Sequence, residues 1–97
     1  MINSFSHIDP SEVVQVSFDF SDGLDGTEII LSTTVVSSVL DGIDAAASSF
    51  VKQHTVTGYG VDAVVGNGVE GVTYKIRATI TTATKTLILD GKILVRT

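Results

Sequence analysis

The sequence contains no cysteine among its 97 residues, and it has a single proline. Without cysteine the fold has neither a disulfide nor a thiolate metal ligand, so its stability must come from burial and from backbone hydrogen bonds. The absence also removes the thiol nucleophile of cysteine hydrolases. Small disulfide-rich secreted proteins, such as toxins and growth factors, are therefore excluded.

The sequence also has little that would direct it to a membrane. Its first residues, Met1 to His7, lack the basic start and the apolar block of a signal peptide. No uncharged apolar run approaches the roughly 18 residues of a membrane-spanning helix. We therefore expect a soluble protein that is synthesised in the cytoplasm.

Positive charge is scarce and lies in the second half of the chain. There are 6 lysine and arginine residues against 11 aspartate and glutamate residues, which gives a net charge of −5. Every acidic residue up to Asp44 precedes the first basic residue, Lys52. An acidic total argues against nucleic-acid binding, because affinity for phosphates needs a clustered cationic surface. The split has two interpretations, which are simple solvation of strand faces and complementary charged faces on neighbouring copies.

The sequence is rich in apolar and β-branched residues. It is 43% hydrophobic with a mean hydropathy of +0.39, which is more apolar surface than one small core needs. Valine, isoleucine and threonine make up roughly a third of the chain, and they suit a pleated sheet better than a helix. The length is that of one domain. We expect a single all-β domain that acts as a subunit of an assembly.

Alternation of apolar and polar residues marks the strands. The clearest cases are Glu12 to Phe20 and Val72 to Thr82. Further strands are expected at Glu28 to Val36, Thr55 to Thr57, Val61 to Val65 and Leu87 to Val95. Six or seven short strands with regular turn signals predict an immunoglobulin-like antiparallel β-sandwich.

Two stretches have less regular patterns. Ser37 to Gln53 is interpreted as a loop and a short strand, with a short helix capped by Asp44 as the alternative. Asp90-Gly91 interrupts the last strand as a bulge or tight turn.

The chain divides into a polar N-terminal arm, residues 1–11, and one sandwich domain, residues 12–97. The arm carries the only proline, and its polarity suggests that it docks on another subunit. Lys75 and Arg77 point outward on one strand and are expected to face acidic loops of a neighbour. The candidate interface residues are Phe5, His7, Asp9, Pro10, Lys75 and Arg77.

The segment Gly66 to Gly71 spells G-x-G-x-x-G, the pattern of dinucleotide-binding loops. That function needs a helix directly after the loop, whereas the alternation after Gly71 predicts a strand. The glycines are better explained by a tight corner between strands. Tyr74 follows this corner, where immunoglobulin-like folds place a tyrosine whose hydroxyl ties back the preceding loop; the alternative is an ordinary core tyrosine.

The remaining polar patterns point to no catalytic or metal site. Asp19, Asp22, Asp25 and Glu28 recur at every third residue, which is wrong for a calcium loop and fits a solvated acidic turn. His7 and His54 have no companion at a zinc-binding spacing, and no serine lies in a G-x-S-x-G motif. We therefore predict a protein that is not an enzyme and has no cofactor or metal.

Several short motifs together resemble a known family. They are His7-Ile8-Asp9-Pro10-Ser11-Glu12-Val13, Phe18-Asp19-Phe20-Ser21, the glycines from Gly66 to Gly71 followed by Tyr74, and Ile80-Thr81-Thr82. Their order and spacing resemble the fiber-tail adaptors, a family of small structural proteins of tailed bacteriophages. Phe20 stands where many members have tryptophan, and Ser37 to His54 does not align clearly.

The resemblance implies a structural virion subunit of the tail, neck or baseplate, made in the host cytoplasm. Such an adaptor would link tail proteins to fibers or neighbouring subunits, with several copies in a ring, and it would have no catalytic residues. Its partners would be other phage tail proteins and copies of itself. The alternative is a head-decoration or carbohydrate-binding sandwich, for which Phe5 and Tyr59 are the aromatic residues expected to be exposed.

Overall fold

The computed structural model describes residues 2–4, 7–24 and 28–96, so Phe5 and Asp25 lie outside the described residues. The described chain is all-β, with two short 3-10 turns. Its strands are β1 (Ile2–Ser4), β2 (Val13–Asp19), β3 (Ser32–Asp41), β4 (Val51–Thr57), β5 (Gly60–Gly66), β6 (Thr73–Thr81) and β7 (Thr86–Leu94).

The strands form two sheets with the order β1-β7-β6-β3 and β2-β5-β4. All pairs are antiparallel except β1 with β7, which is parallel. Apart from β1, the sheet β7-β6-β3 corresponds to strands G-F-C of an immunoglobulin domain, and the sheet β2-β5-β4 corresponds to strands B-E-D. The predicted immunoglobulin-like sandwich is confirmed, with one parallel pair in addition.

The core lies between the two sheets and follows the predicted alternation. On β6 every second residue is buried, from Tyr74 to Ile80, and the residues between them face outward. On β5 the buried set is Val61, Ala63 and Val65, which oppose Phe18, Val16 and Val14 of β2. Cross-strand partners point to the same side of a sheet, so each buried row of one sheet meets that of the other.

The second predicted strand is displaced. It was expected from Glu28 to Val36, but β3 begins at Ser32 and continues to Asp41. Ile29 and Leu31 are 69% and 61% exposed and precede the strand. β3 continues because the inward Ser37 hydroxyl donates to the Ala47 carbonyl at 2.6 Å, which satisfies a polar group in the core.

Asp90-Gly91 forms neither a bulge nor a turn, so that prediction was wrong. β7 runs without a register shift, and Gly91 opposes Ile76. Asp90 opposes Arg77 and accepts hydrogen bonds from its Nε and Nη2 at 2.8 and 3.0 Å. This two-bonded ion pair keeps an aspartate in a strand that its intrinsic preference disfavours.

The ambiguous segment after β3 forms a turn and a 3-10 helix, Ala47–Phe50, before β4 begins at Val51. The Asp44 carboxylate accepts a hydrogen bond from the Ala46 amide at 2.9 Å, so it caps a turn and not an α-helix. The favoured interpretation of Ser37 to Gln53 was a loop and a short strand, but Ser37 to Asp41 belong to β3, and β4 starts earlier than the expected Thr55.

Each glycine of the G-x-G-x-x-G segment has a structural reason. A Cβ on Gly66 would lie 2.5 Å from the Glu12 carbonyl oxygen and 2.7 Å from the Val13 Cα. One on Gly68 would lie 2.9 Å from ring atoms of both Phe50 and Tyr74. Gly71 has a φ of 83°, which other residues rarely adopt. The corner interpretation accounts for the motif.

Gly66→Ala should destabilise the fold by about 2 kcal/mol, because backbone atoms of β2 block the new methyl group and cannot move without breaking the β2–β5 pairing. Urea denaturation would measure the loss. The matched control is Gly60→Ala at the other end of β5, where the nearest atoms lie at 3.4 and 3.5 Å. Equal effects of the two substitutions would contradict the steric explanation.

Candidate functional site

Tyr74 joins three parts of the chain at one end of the sandwich. Its ring is fully buried and stacks on Phe50, with ring centres 4.0 Å apart and planes 2° from parallel. The hydroxyl accepts a hydrogen bond from the Val69 amide at 2.9 Å and donates one to the Asp44 carboxylate at 2.6 Å. The predicted tie between this tyrosine and the preceding loop is confirmed. The bond to Asp44 was not predicted.

The pKa values of Tyr74 and Asp44 are both shifted where the two side chains meet. The hydrogen bond from the Tyr74 hydroxyl, followed by the one from the Ala46 amide, holds the pKa of Asp44 below its ordinary value. Burial, followed by the bond to Asp44, raises the pKa of Tyr74. Both shifts favour a neutral tyrosine donating to a charged carboxylate.

Tyr74→Phe should lower the free energy of unfolding at pH 7 by about 1 to 2 kcal/mol, because it leaves the Val69 amide without its acceptor. Since the folded-state pKa of Asp44 is depressed, its contribution is present above the unfolded pKa and is lost as the pH falls through the folded one. The difference between wild type and variant should therefore shrink below about pH 4.

Urea denaturation at pH 7 and pH 3 would measure both effects. The control is Tyr74→Phe in an Asp44→Asn background, where position 44 has no titrating carboxylate. There the loss of unfolding free energy caused by Tyr74→Phe should not depend on pH. An equal pH dependence in the two backgrounds would show that Asp44 is not the titrating partner.

The other short motifs build turns. Asp9 accepts hydrogen bonds from the Ser11 amide and hydroxyl at 2.9 and 2.7 Å, and the Glu12 carboxylate accepts one from the Asp9 amide. The Asp19 carboxylate accepts a bond from the Ser21 amide at 2.9 Å at the start of a 3-10 turn. These bonds lower the pKa of both aspartates. The motif residues therefore shape the ends of β2.

The turn between β6 and β7 is closed in a similar way. The Thr82 hydroxyl accepts bonds from the amides of Thr84 and Lys85 and donates to the Glu28 carboxylate at 3.1 Å. The Lys85 ammonium lies 2.9 Å from Glu28 and donates to the Gly23 carbonyl at 3.0 Å. Glu28 is thus part of a polar clamp and not of a strand.

The predicted arm lies along its own sandwich. Ile2–Ser4 pair with β7, and Ile8 is buried and exchanges backbone hydrogen bonds with Leu94 and Arg96. His7 is exposed, and Pro10 is half-buried in the turn at the start of β2. The interface role of His7, Asp9 and Pro10 stays a prediction, and Phe5 lies outside the described residues.

Lys75 and Arg77 point outward on β6, as predicted, but they have different surroundings. Arg77 is neutralised by Asp90 of the same chain at 2.8 Å, which lowers the pKa of Asp90. Lys75 lies directly opposite Lys92 of β7. Within the part of the chain that the structure describes, neither lysine forms an ion pair or hydrogen bond. The sequence alone did not bring Lys92 beside Lys75, because that depends on the register.

The sandwich is open at the edge formed by β3 and β4. The inner side of β4 carries His54 and Val56, both exposed, and the Thr33 hydroxyl is buried there with no partner among the described residues. The groove has a volume of about 310 Å³ and is lined by Ile30, Leu31, Ser32, Thr33, His54 and Val56. The described residues that line it include no carboxylate that could work with His54 as an acid–base pair.

Other searches of the described residues gave negative results. Among residues 2–4, 7–24 and 28–96, no three histidine or acidic side chains are grouped as metal ligands. No helix in the same residues is long and apolar enough to cross a membrane.

A comparison with family profiles decides the relationship of the chain. Residues 9–96 match the family described as Podophage GP4 fiber-tail adaptor protein gp77. The chain belongs to this family. A search of curated proteins found no match. The match begins at the Asp9 turn and includes β2 to β7, so the resemblance drawn from the short motifs is confirmed. Membership indicates a structural adaptor of a podophage tail.

Among the described residues, the adaptor leaves several large aliphatic side chains exposed to solvent. Sequence analysis did not locate them. Ile43 is 89% exposed. The others are Val13, Ile29, Leu31, Val36, Leu40, Val56, Val69 and Ile88. The only sign of them in the sequence was the high overall content of apolar residues, since composition does not indicate which apolar side chains stay exposed to solvent.

Proposed function

We propose that this chain is a virion subunit of a podophage tail that links tail proteins to fibers or to neighbouring subunits, with several copies in a ring. The observation that carries the proposal is the family match over the whole sandwich core, residues 9–96. Its chemistry is that of binding, because adaptors work through contact surfaces and not through a reacting group.

The exposed aliphatic residues support a role in assembly. Two groups of them lie near opposite ends of β3, with Ile29 and Leu31 before the strand and Leu40 and Ile43 at its end and beyond it. Side chains of this size are usually covered by a partner when they are numerous in a small domain. Two separated groups of apolar residues give an adaptor two places of attachment.

Light scattering of the purified chain with the tail proteins of its genome would test the proposal. We expect a complex of fixed mass that contains several copies of the chain. Because apolar contacts depend little on ionic strength, substitution of Ile43 by Asp at the most exposed aliphatic position should weaken the complex in high and low salt alike. A chain that stays separate from every tail protein would contradict the adaptor function.

The arm supplies one of these contacts in our proposal, and its aromatic residue would be the anchor. The double variant Phe5→Ala and His7→Ala leaves Ile8 and the Asp9 turn intact, so the sandwich should remain folded. Binding to tail proteins should weaken about tenfold or more, as expected for loss of an interface anchor. Asp22→Ala, exposed at the opposite end, is the control. Unchanged affinity with an unchanged melting temperature would exclude the arm as a contact.

A further inference from the structure

The two outer faces of the sandwich carry opposite charge. On the four-stranded sheet, the basic face contains Lys75 and Lys92 beside the neutralised pair of Arg77 and Asp90, with Asp41 at the end of β3. On the three-stranded sheet, the acidic face contains Asp19 and Asp62. Asp19 and Asp62 lie on β2 and β5 of one sheet, while Lys75 and Lys92 lie on β6 and β7 of the other.

The basic face contains an arrangement that is unfavourable in an isolated chain. Lys75 and Lys92 are directly opposed across β6 and β7, and like charges in this position repel. On the same face, the Asp90 carboxylate is bonded to Arg77 through two hydrogen bonds, and Asp41, which lies opposite Thr73, forms no ion pair among the described residues. A carboxylate from outside would relieve the repulsion.

The residues around the two lysines suit contact with the surface of another protein. Val36 and Ile88 are about half exposed in the neighbouring rows, and further outward residues include Ser32, Thr34, Ser38, Thr73, Thr79, Thr81 and Thr86. These are small or β-branched side chains with few rotamers to fix, so little conformational entropy opposes the packing of another sheet.

The acidic face has a similar build with the opposite sign. Asp62 accepts a hydrogen bond from Ser17 at 2.7 Å and lies opposite Thr55 of β4. Gln15, Val64 and Gln53 form the next row. Lys52 lies at the end of β4, and its ammonium donates to the Ser49 carbonyl at 2.8 Å. Negative charge therefore predominates on this face.

We propose that the basic face of one copy packs on the acidic face of the next copy, so that Lys75 and Lys92 meet Asp19 and Asp62 of the neighbour. This inference rests on the proposed function and adds the two surfaces through which copies join. The contact is heterologous and continues from copy to copy.

Complementary charge variants test this arrangement. Lys75→Glu with Lys92→Glu makes both faces acidic. Thr55→Lys with Asp62→Lys makes both faces basic, while Asp19 keeps its turn bond. Each variant alone should associate at least about tenfold more weakly than wild type, and an equimolar mixture should recover assembly because every contact then joins opposite charges. Light scattering at 50 mM and 500 mM salt measures the association, which should weaken with salt.

The control is Asp22→Lys, which reverses a charge in an exposed turn outside both faces and should leave association unchanged. Melting curves establish that each variant is folded. If the mixture fails to recover assembly, or if either variant alone assembles like wild type, the inference is wrong. If wild type binds tail proteins but remains a monomer at millimolar concentration, the inference is wrong while the adaptor function stands. If wild type neither binds tail proteins nor associates with itself, the adaptor function is also wrong.

Discussion

The fold depends on the position of one tyrosine. Tyr74 fills the space between the sheets with its ring, and its hydroxyl fixes the Gly66–Gly71 corner on one side and the segment around Asp44 on the other. Phe50, stacked on that ring, is the last residue before β4. The same contact therefore places the entry to β6 and the crossing from β3 to β4. A buried hydroxyl that lost either partner would carry a desolvation cost, so the two connections are fixed together.

The short motifs by which the family is recognised have structural roles. Asp9, Asp19 and Thr82 close turns through their own hydrogen bonds, and the glycines allow close approach of backbone and rings. Few other side chains can make these turns. The outer faces are under a different constraint, since partner surfaces decide which residues suit them. Recognition of the family therefore identifies the scaffold, while the contacts must be derived from the charges and apolar residues of this chain.

The sequence predicted what strict alternation can indicate. β2 and β6 were located to within a residue because inward and outward positions differ sharply in polarity. β3 was displaced because Ser37 is polar yet buried, and its hydroxyl depends on the distant Ala47 carbonyl. Asp90-Gly91 resembled a turn because its ion pair with Arg77 lies on another strand. Lys92 was missed for the same reason: opposition across strands depends on register, which a local pattern does not contain.

An adaptor must join unlike partners, and a symmetric surface cannot do this. A two-fold interface uses one patch twice and ends at two copies, whereas a contact between different faces leaves one face of each kind free for continuation. The sandwich offers such faces because its sheets bury one side each and leave two independent surfaces outside. Its opposite charges then make like faces repel and unlike faces attract, which sets the direction of assembly. In our proposal Ile29, Leu31 and Ile43 remain available for tail and fiber proteins, since they lie outside the strands that form the faces.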